Sequence, residues 1–167
     1  MKHYLKLLPF VAIGLVVVAI VVALIVHAQR GARVELAGSI GKVRTLALDE
    51  RSSAAIIDFR VRNPSDYLFV VRQVELTALD PAGQPLAGMV IAQADAAKLF
   101  EYFPQLGQRY NECLLIRTKV KPGQSIDRMI AARFEVPEKV LQARRNLTIR
   151  IEELDGPVAE FSERPAR

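Results

Sequence analysis

The sequence predicts an all-β domain, a β-sandwich of about seven or eight strands with one short inserted helix, preceded by an N-terminal transmembrane helix. Three observations lead to this prediction. The stretch from Leu7 to Val26 contains twenty consecutive residues without a charged side chain. Beyond residue 33, apolar and polar residues alternate, which is the period of strands that are buried on one face. Short turn sequences rich in Pro, Gly, Asn and Asp separate these alternating segments.

The N-terminal stretch has the length of a membrane span, because twenty helical residues rising about 1.5 Å each cover roughly 30 Å. Lys2 and Lys6 precede it, as basic residues precede both cleaved signal peptides and uncleaved anchors. Its length favours an uncleaved anchor within residues 1–30, and cleavage after Ala28 to release a secreted domain is the alternative. The apolar side chains expected to contact lipid include Leu7, Phe10, Leu15, Ile20, Leu24 and Val26.

The charges around this stretch give conflicting indications of its orientation. Arg30, Arg33, Lys42 and Arg44 follow it, and a count of positive charges alone favours a cytoplasmic domain. A very short basic N terminus ahead of a long apolar run instead usually stays inside while the chain behind it is translocated. We therefore expect residues 31–167 to form one extracytoplasmic domain, in the periplasm or outside the cell.

Charge and cysteine content limit the function classes. The chain has 23 basic and 18 acidic residues, and leaving out Lys2 and Lys6 gives 21 and 18, a net charge of +3. This even balance, without a basic stripe or a reading motif, argues against nucleic-acid binding. Cys113 is the only cysteine, so the chain forms no intramolecular disulfide. We expect this residue to be a small buried hydrophobe beside Leu114 and Leu115.

The first half of the domain reads as strands and one helix. Extended segments are expected at 34–36 and 42–48, with Gly38 and Gly41 as a break or bulge between them. In residues 57–62 the odd-numbered apolar positions are expected to face inward, and Asp58 and the arginines after it to face solvent; Asn-Pro-Ser-Asp then ends the strand. A strand at 68–79, a turn at 80–83 and a partner strand at 85–91 follow. The spacing of 96–103 predicts a short helix, within about 95–103, with Asp95 as its N-cap.

The second half returns to strands. Strands are expected at 114–120, 130–136, 147–152 and 158–161, and a turn at 121–124 separates the first two. The even-numbered apolar residues of 130–136 are expected to share one face. Residues 137–145 are expected to add a helical turn or two, with proline at the first position. Residues 163–167 read as a tail.

Five short segments, taken in order, carry a resemblance to known domains. They are Val-Arg-Asn-Pro at 61–64, Leu-Asp-Pro-Ala-Gly at 79–83, Val-Lys-Pro-Gly-Gln at 120–124, Phe-Glu-Val-Pro at 134–137 and Ile-Glu-Glu-Leu-Asp-Gly at 151–156. Their order within about residues 40–161 resembles the immunoglobulin-like sandwiches of the late-embryogenesis-abundant type 2 (water-stress and hypersensitive-response) group. It is also similar to the FxLYD-like membrane-anchored domains. The resemblance implies an immunoglobulin-like fold with a binding or structural role, and it supplies no catalytic residues.

The residue types that carry most catalysis are scarce in the domain. The two histidines, His3 and His27, flank the apolar stretch, so histidine-based nucleophilic catalysis and metal binding are excluded from the domain. Ser125 with Lys119 or Lys121 gives an alternative, a histidine-free Ser-Lys hydrolase, although its surroundings do not match the Ser-Met-x-Pro sequence of the membrane-anchored signal peptidases. The carboxylate pairs at 49–50 and 152–153 are expected to be solvated and to point to opposite faces of their strands. We predict no cofactor and no metal.

A surface is the remaining candidate site. Much of the domain's aromatic content gathers in one helix-and-loop segment, whose candidate interface residues are Leu99, Phe100, Tyr102, Phe103 and Tyr110. We expect Tyr102 and Tyr110 to be exposed. The alternative interpretation of Leu99, Phe100 and Phe103 is that they cap the open end of the sandwich. Arg144 and Arg145 are a second candidate, for an acidic partner or lipid headgroups.

These observations favour a single-pass, membrane-anchored and non-catalytic binding or scaffolding module in a membrane-associated assembly. Its expected partners are the lipid bilayer and one or more proteins, without nucleic acid. The secreted domain and the Ser-Lys hydrolase remain the alternatives. The sequence leaves open the partner's identity, the oligomeric state, and whether an apolar ligand binds between the sheets.

Overall fold

The computed structural model describes residues 15–16, 18–24, 36–154 and 156–163. The chain divides into two compact units, Met1–Arg33 and Val34–Arg167. In the first unit, residues 15–16 and 18–24 are helical, and Leu15, Ile20 and Leu24 are exposed. The other anchor positions predicted from sequence, Leu7, Phe10 and Val26, lie outside the described residues. Among the described residues, no helix combines the length and the apolar character that a membrane span requires.

The second unit is mostly β-structure. Within its described residues it has eight strands: β1 (Ala37–Ala47), β2 (Ser53–Arg62), β3 (Phe69–Leu79), β4 (Pro85–Val90), β5 (Lys119–Val120), β6 (Ser125–Phe134), β7 (Asn146–Glu153) and β8 (Val158–Ser162). Its helices are α1 (Gln93–Tyr102), α2 (Glu138–Gln142) and a 3-10 turn, Pro104–Leu106. This confirms the prediction of a β-sandwich-like domain with one inserted helix.

The strands form two layers that β4 joins. They follow the order β1-β2-β6-β4-β3-β7-β8, all neighbours antiparallel, and the short β5 pairs with the start of β3. β4 pairs with β3 through its first residues and with β6 through Met89 and Val90, so it passes from one layer to the other. At the crossing Gly88 leaves no room for a side chain, because an added Cβ would lie 2.7 Å from Phe134 Cζ.

An inner core fills the space between the layers. The odd-numbered residues Ile57, Phe59 and Val61 of β2 face it, as predicted, and the even-numbered apolar residues of β6 face it as well. Leu76 and Ala78 of β3 and the isoleucines of β7 complete it from the opposite layer. These side chains are at most 9% exposed, so the period-two pattern gives the inner face of both layers correctly.

The strand predicted at 114–120 is wrong in its first five residues. Only Lys119–Val120 is a strand, and the preceding residues form a turn in which Thr118 N–H donates to Leu115 O. Arg117 has φ 68°, the left-handed conformation that ends an extended segment. A local hydrogen-bonded turn has replaced strand pairing in a run of apolar residues, because these apolar side chains do not all face the core: Leu115 is 46% exposed and Ile116 67%.

The predicted helix boundaries need smaller corrections. α1 begins at Gln93 with Ala92 as its N-cap, so Asp95 lies in the first turn and is not the cap. The N–H groups of Asp95 and Ala96 donate to Ala92 O. A carboxylate in the first turn still interacts favourably with the helix dipole. α2 begins at Glu138, one residue after Pro137. The break predicted near Gly41 is present as a register shift between Ile40 and Val43 inside a continuous β1.

Candidate functional site

Strand β2 is buried on both of its faces over most of its length. Residues 53–59 are all buried, so Ile57 faces the inner core while Ile56 and Asp58 face the outer side of the layer. The prediction that Asp58 faces solvent is therefore wrong, since it is only 7% exposed. The outer side is covered by the chain between β4 and β5, and we call residues 91–113 the insertion.

The insertion begins with α1 and continues through the 3-10 turn into a loop. Three alanines at positions 94, 96 and 97 favour the helix, and Pro104 ends it because proline cannot donate the amide that the helix needs. Pro104 then begins the 3-10 turn, where the first N–H group would have no acceptor within the turn, so its absence in proline costs no hydrogen bond. The loop that follows returns to the sheet at Cys113, which forms an isolated bridge with Met129 of β6.

A second, outer core lies between the insertion and the layer β1-β2-β6. Its buried members come from both sides: Leu46, Ile56, Ala96, Leu106, Met129 and Ala131. Leu99, Phe100 and Phe103 are half-buried against it. The alternative interpretation, that these three cap the open end of the sandwich, is therefore wrong, because they cover the outer face of a sheet.

A buried ion pair joins β1 to β2 under the insertion. Arg44 Nη2 donates to Asp58 Oδ2 at 2.6 Å, and the two side chains are 8% and 10% exposed. Removing two charges from water is costly, and the pair is tolerated only when further hydrogen bonds satisfy the remaining donors and acceptors. The insertion supplies three of those bonds, whereas the buried Nε of Arg44 has no hydrogen-bond partner among the described residues.

The loop of the insertion is bound to this pair by three hydrogen bonds. Arg44 Nη1 donates to the carbonyl oxygens of Leu106 at 3.0 Å and Gln108 at 2.9 Å. Asn111 Nδ2 donates to the other oxygen of Asp58 at 2.9 Å. The guanidinium and the carboxylate together therefore fix both ends of the loop 106–111 on the sheet.

Two aromatic rings of the candidate interface complete the surroundings of Arg44. Its Cζ lies 5.1 Å from the centre of the Phe100 ring and 5.6 Å from that of Tyr110. Lys42 Nζ lies 5.5 Å from the centre of the Tyr110 ring. Cation–π contacts of this kind contribute about 0.5–2 kcal/mol, more when desolvated. The predicted interface residues Phe100 and Tyr110 thus both contact the Arg44 guanidinium. The sequence alone does not predict this contact.

Tyr102 and Tyr110 are exposed, as predicted, at 74% and 61%. Tyr102 is the last residue of α1, and Tyr110 lies in the loop of the insertion. The insertion therefore presents two large amphipathic rings to solvent, while its other large apolar side chains pack in or against the outer core. Tyrosine brings contact area at a low cost in side-chain entropy, because only two torsions must be fixed.

The remaining candidates are accounted for within the fold or lie on the surface. Arg144 binds Glu163 through two hydrogen bonds of 2.6 and 2.9 Å, whereas Arg145 is exposed. Ser125 is exposed at the start of β6, and within the described residues its hydroxyl forms no hydrogen bond with Lys119 or Lys121. The described residues also hold no group of three His, Cys, Asp or Glu side chains placed to bind a metal.

The single cysteine and the carboxylate pairs also have defined surroundings. Cys113 is half-buried against the outer core, and burial raises the pKa of its thiol, while Arg109 lowers it to a smaller extent. Asp49 accepts bonds from the Ser52 hydroxyl and nearby amides, which lower the pKa of its carboxyl. The expectation that residues 152 and 153 are both solvated is wrong for Glu153, which is 5% exposed.

Arg44, Asp58 and Asn111 are the residues that the sequence reasoning missed. One signal for them is present in the sequence. Residues 54–57 read Ala-Ala-Ile-Ile, a continuous apolar run without alternation, which is typical of a strand buried on both faces. A charged residue directly after such a run, Asp58, is then expected to need a buried partner. No local signal identifies Arg44 as that partner.

Comparisons with known proteins give only distant likenesses. No protein-family model matches the sequence, and no curated protein matches it significantly. An uncharacterized β-sandwich protein from Clostridium difficile has a TM-score of 0.40 at 8% identity, over 78% of this chain and 86% of that one. The archaellum periplasmic stator protein FlaG from Sulfolobus acidocaldarius has a TM-score of 0.33 at 12% identity, over 76% of this chain and 98% of that one. At these scores neither likeness carries an argument about function, and the resemblance to the late-embryogenesis-abundant and FxLYD-like domains stays a prediction.

Proposed function

We propose that this protein is a membrane-anchored, non-catalytic binding or scaffolding module, whose extracytoplasmic domain uses the insertion to contact a protein partner in a membrane-associated assembly. The observation that carries the proposal is the exposure of Tyr102 and Tyr110 on a segment that is fixed from beneath by the Arg44–Asp58 pair. The apolar stretch Leu7 to Val26 supports the anchor, since its length matches a bilayer.

The fixed position of the insertion favours binding. A loop that must become ordered on association loses affinity through the entropy of ordering, and a segment already held by packing and hydrogen bonds avoids most of that cost. Here the loop 106–111 is held at both ends, and α1 rests on a core of its own. Aromatic residues are also enriched in the cores of protein interfaces, often as their strongest contacts.

We also infer an immunoglobulin-like arrangement of the strands. The layer β1-β2-β6 corresponds to strands A, B and E of that fold, and β3, β7 and β8 correspond to C, F and G. β4, between β3 and β6, joins the two layers. Immunoglobulin-like domains serve many unrelated functions, so the functional argument rests on the insertion and not on the fold.

The test is recovery of membrane-protein partners with the full-length chain. A tagged protein is expressed in its source membranes, crosslinked, and recovered in detergent, and the co-purifying proteins are quantified. Replacing both tyrosines, Tyr102→Ala with Tyr110→Ala, is expected to lower recovery of the principal partner at least about tenfold, since interface aromatics often contribute 2 kcal/mol or more.

Met89→Ala is the control, because Met89 is 70% exposed on β4, outside the insertion. It is expected to leave recovery of the partner unchanged. Unchanged recovery with the folded double variant contradicts the proposed interface. The intact mass of the mature protein tests the anchor, because cleavage after Ala28 removes the N-terminal residues.

A further inference from the structure

One end of the domain gathers the loops nearest to the start of β1, and we call it the entry end. Ala37 pairs with Arg62, the last residue of β2, and Arg62 pairs with Ser125, the first residue of β6. β3 also begins here, with Phe69 opposite Val120. The end of β7 lies beside it, since Leu154 N–H donates to Val70 O. The entry end therefore includes the loops 63–68, 114–118 and 121–124 and the described residues that follow β7.

The loops of the entry end expose an unusual number of large apolar side chains. They are Tyr67 at 65%, Leu68 at 43%, Leu115 at 46%, Ile116 at 67% and Leu154 at 60%. A single exposed leucine needs no explanation, but several on adjacent loops indicate a surface that another phase or molecule covers.

These loops are held in place. Asn63 is fully buried, and its Nδ2 donates to Tyr67 O at 2.7 Å and Val120 O at 3.0 Å. Arg117 N–H donates to Val71 O at 2.7 Å, in the left-handed conformation that non-glycine residues adopt only when their surroundings impose it. The exposed apolar groups therefore lie on loops whose positions are fixed by hydrogen bonds. They form one surface for that reason, whereas a flexible tail would not hold them together.

Basic side chains surround the apolar groups. Arg62, Arg117, Lys119 and Lys121 are exposed at the entry end, and none of them forms an ion pair with another described residue. Asp66 is the exposed carboxylate among the described residues of these loops. The opposite end of the sandwich exposes charges of both signs, with Asp49, Glu50 and Glu135 beside Arg51, Lys139 and Arg145.

We propose that the entry end lies against the anionic surface of the bilayer that holds the N-terminal anchor. Its apolar side chains enter the boundary between headgroups and acyl chains, and its lysines and arginines contact lipid phosphates. This inference rests on the proposed anchor. Only ten residues, 27–36, separate the apolar stretch from β1, and ten extended residues reach at most roughly 35 Å. A connection of this reach allows the end where β1 begins to contact the membrane.

The absence of tryptophan from the sequence allows a direct test. Single variants Tyr67→Trp and Ile116→Trp place a fluorophore at the entry end, and Ala82→Trp places one in the exposed turn between β3 and β4 at the opposite end. Each full-length variant is reconstituted into bilayers of phosphatidylcholine with phosphatidylglycerol that carry brominated acyl chains. Quenching at positions 67 and 116 is expected to exceed that at position 82 by at least about threefold, because brominated chains quench only fluorophores at membrane depth.

Two further measurements separate this inference from the proposed function. Charge reversal with Lys119→Glu and Lys121→Glu, or omission of phosphatidylglycerol, is expected to reduce the quenching, since both remove the electrostatic attraction. Flotation of the chain with vesicles reports the anchor independently. A chain that fails to float contradicts the anchor and with it the inference. If the chain floats but positions 67 and 116 are quenched no more than position 82, the inference is wrong. The proposal of the anchor is then unaffected.

Discussion

Both faces of β2 are buried over residues 53–59, but the two cores that cover them are built differently. Ile57 and Ile56 are neighbours in β2, both fully buried, one in the inner core and one in the outer core. The inner core is apolar and packs one sheet on another. The outer core is smaller and contains a charged pair at its margin, Arg44 with Asp58. The difference shows which polar contacts are required when an irregular segment, and not a second sheet, covers a sheet.

A sheet packed on another sheet already satisfies its backbone groups through its own ladders. An irregular loop does not, so the buried carbonyl group of Leu106 requires a donor from elsewhere, as does the partly buried one of Gln108. Arg44 supplies both, and Asp58 balances its charge. The polar pair therefore compensates for the missing ladder and gives the insertion one defined position on the sheet.

The largest expected effect comes from removing the charge of Asp58. Asp58→Asn keeps the shape of the side chain but leaves the Arg44 guanidinium buried without a counter-charge, so the free energy of unfolding is expected to fall by about 3–5 kcal/mol. The measurement is urea unfolding of the full-length protein in detergent micelles.

Asp127→Asn is the matched control, since Asp127 pairs with Arg60 through hydrogen bonds of 2.7 and 2.9 Å on the surface. Both side chains of that pair are largely exposed, at 66% and 48%, so its loss is expected to change stability by no more than about 1 kcal/mol. Equal effects of the two substitutions contradict the importance assigned to the buried pair.

The second effect compares the cores directly through adjacent residues. Ile57→Ala is expected to lower the free energy of unfolding by about 2–5 kcal/mol, because a cavity opens between two rigid sheets. Ile56→Ala removes the same atoms, but the insertion can settle toward the sheet, and a smaller loss within the same range is expected. Paired urea titrations measure both, and a larger loss for Ile56→Ala counts against the distinction between the two cores.

The smallest effect concerns the chemistry of Cys113. Because burial raises the pKa of this thiol, less thiolate is present in the folded protein than in the unfolded chain near the ordinary pKa of cysteine. Reaction with a disulfide reagent is therefore expected to be slower in the native state at that pH and to reach the normal rate in urea. Equal rates in both states show that folding does not shield the thiol of Cys113.

The inner core follows from the sequence because alternate residues of its strands face the opposite layer. Alternation over residues 57–61 and 130–134 marks the inward positions correctly, and the turns at 80–83 and 121–124 separate the strands where the structure separates them. The segment 114–118 fails because consecutive apolar residues at a loop tip imitate a strand. Leu115 and Ile116 are exposed on an irregular loop, which the local pattern does not distinguish from a strand.

The candidate site was only partly accessible to sequence reasoning. Exposure of Tyr102 and Tyr110 was predicted from an aromatic segment that interrupts the strands. The pairing of Arg44 with Asp58, and the use of Asn111 to satisfy the same carboxylate, depends on contacts between residues 14 and 53 positions apart in the chain. Such contacts exist only once the insertion lies on the sheet, so no local spacing reveals them.

Hydrogen exchange of the full-length protein tests most directly whether the Arg44–Asp58 pair fixes the insertion that carries the proposed interface. Peptides from residues 91–113 and from β7 are compared in the wild type, Asp58→Asn and Asp127→Asn. The account predicts that Asp58→Asn accelerates exchange in the insertion well beyond any change in β7, while Asp127→Asn leaves both as in the wild type. Unchanged protection of the insertion in Asp58→Asn contradicts it.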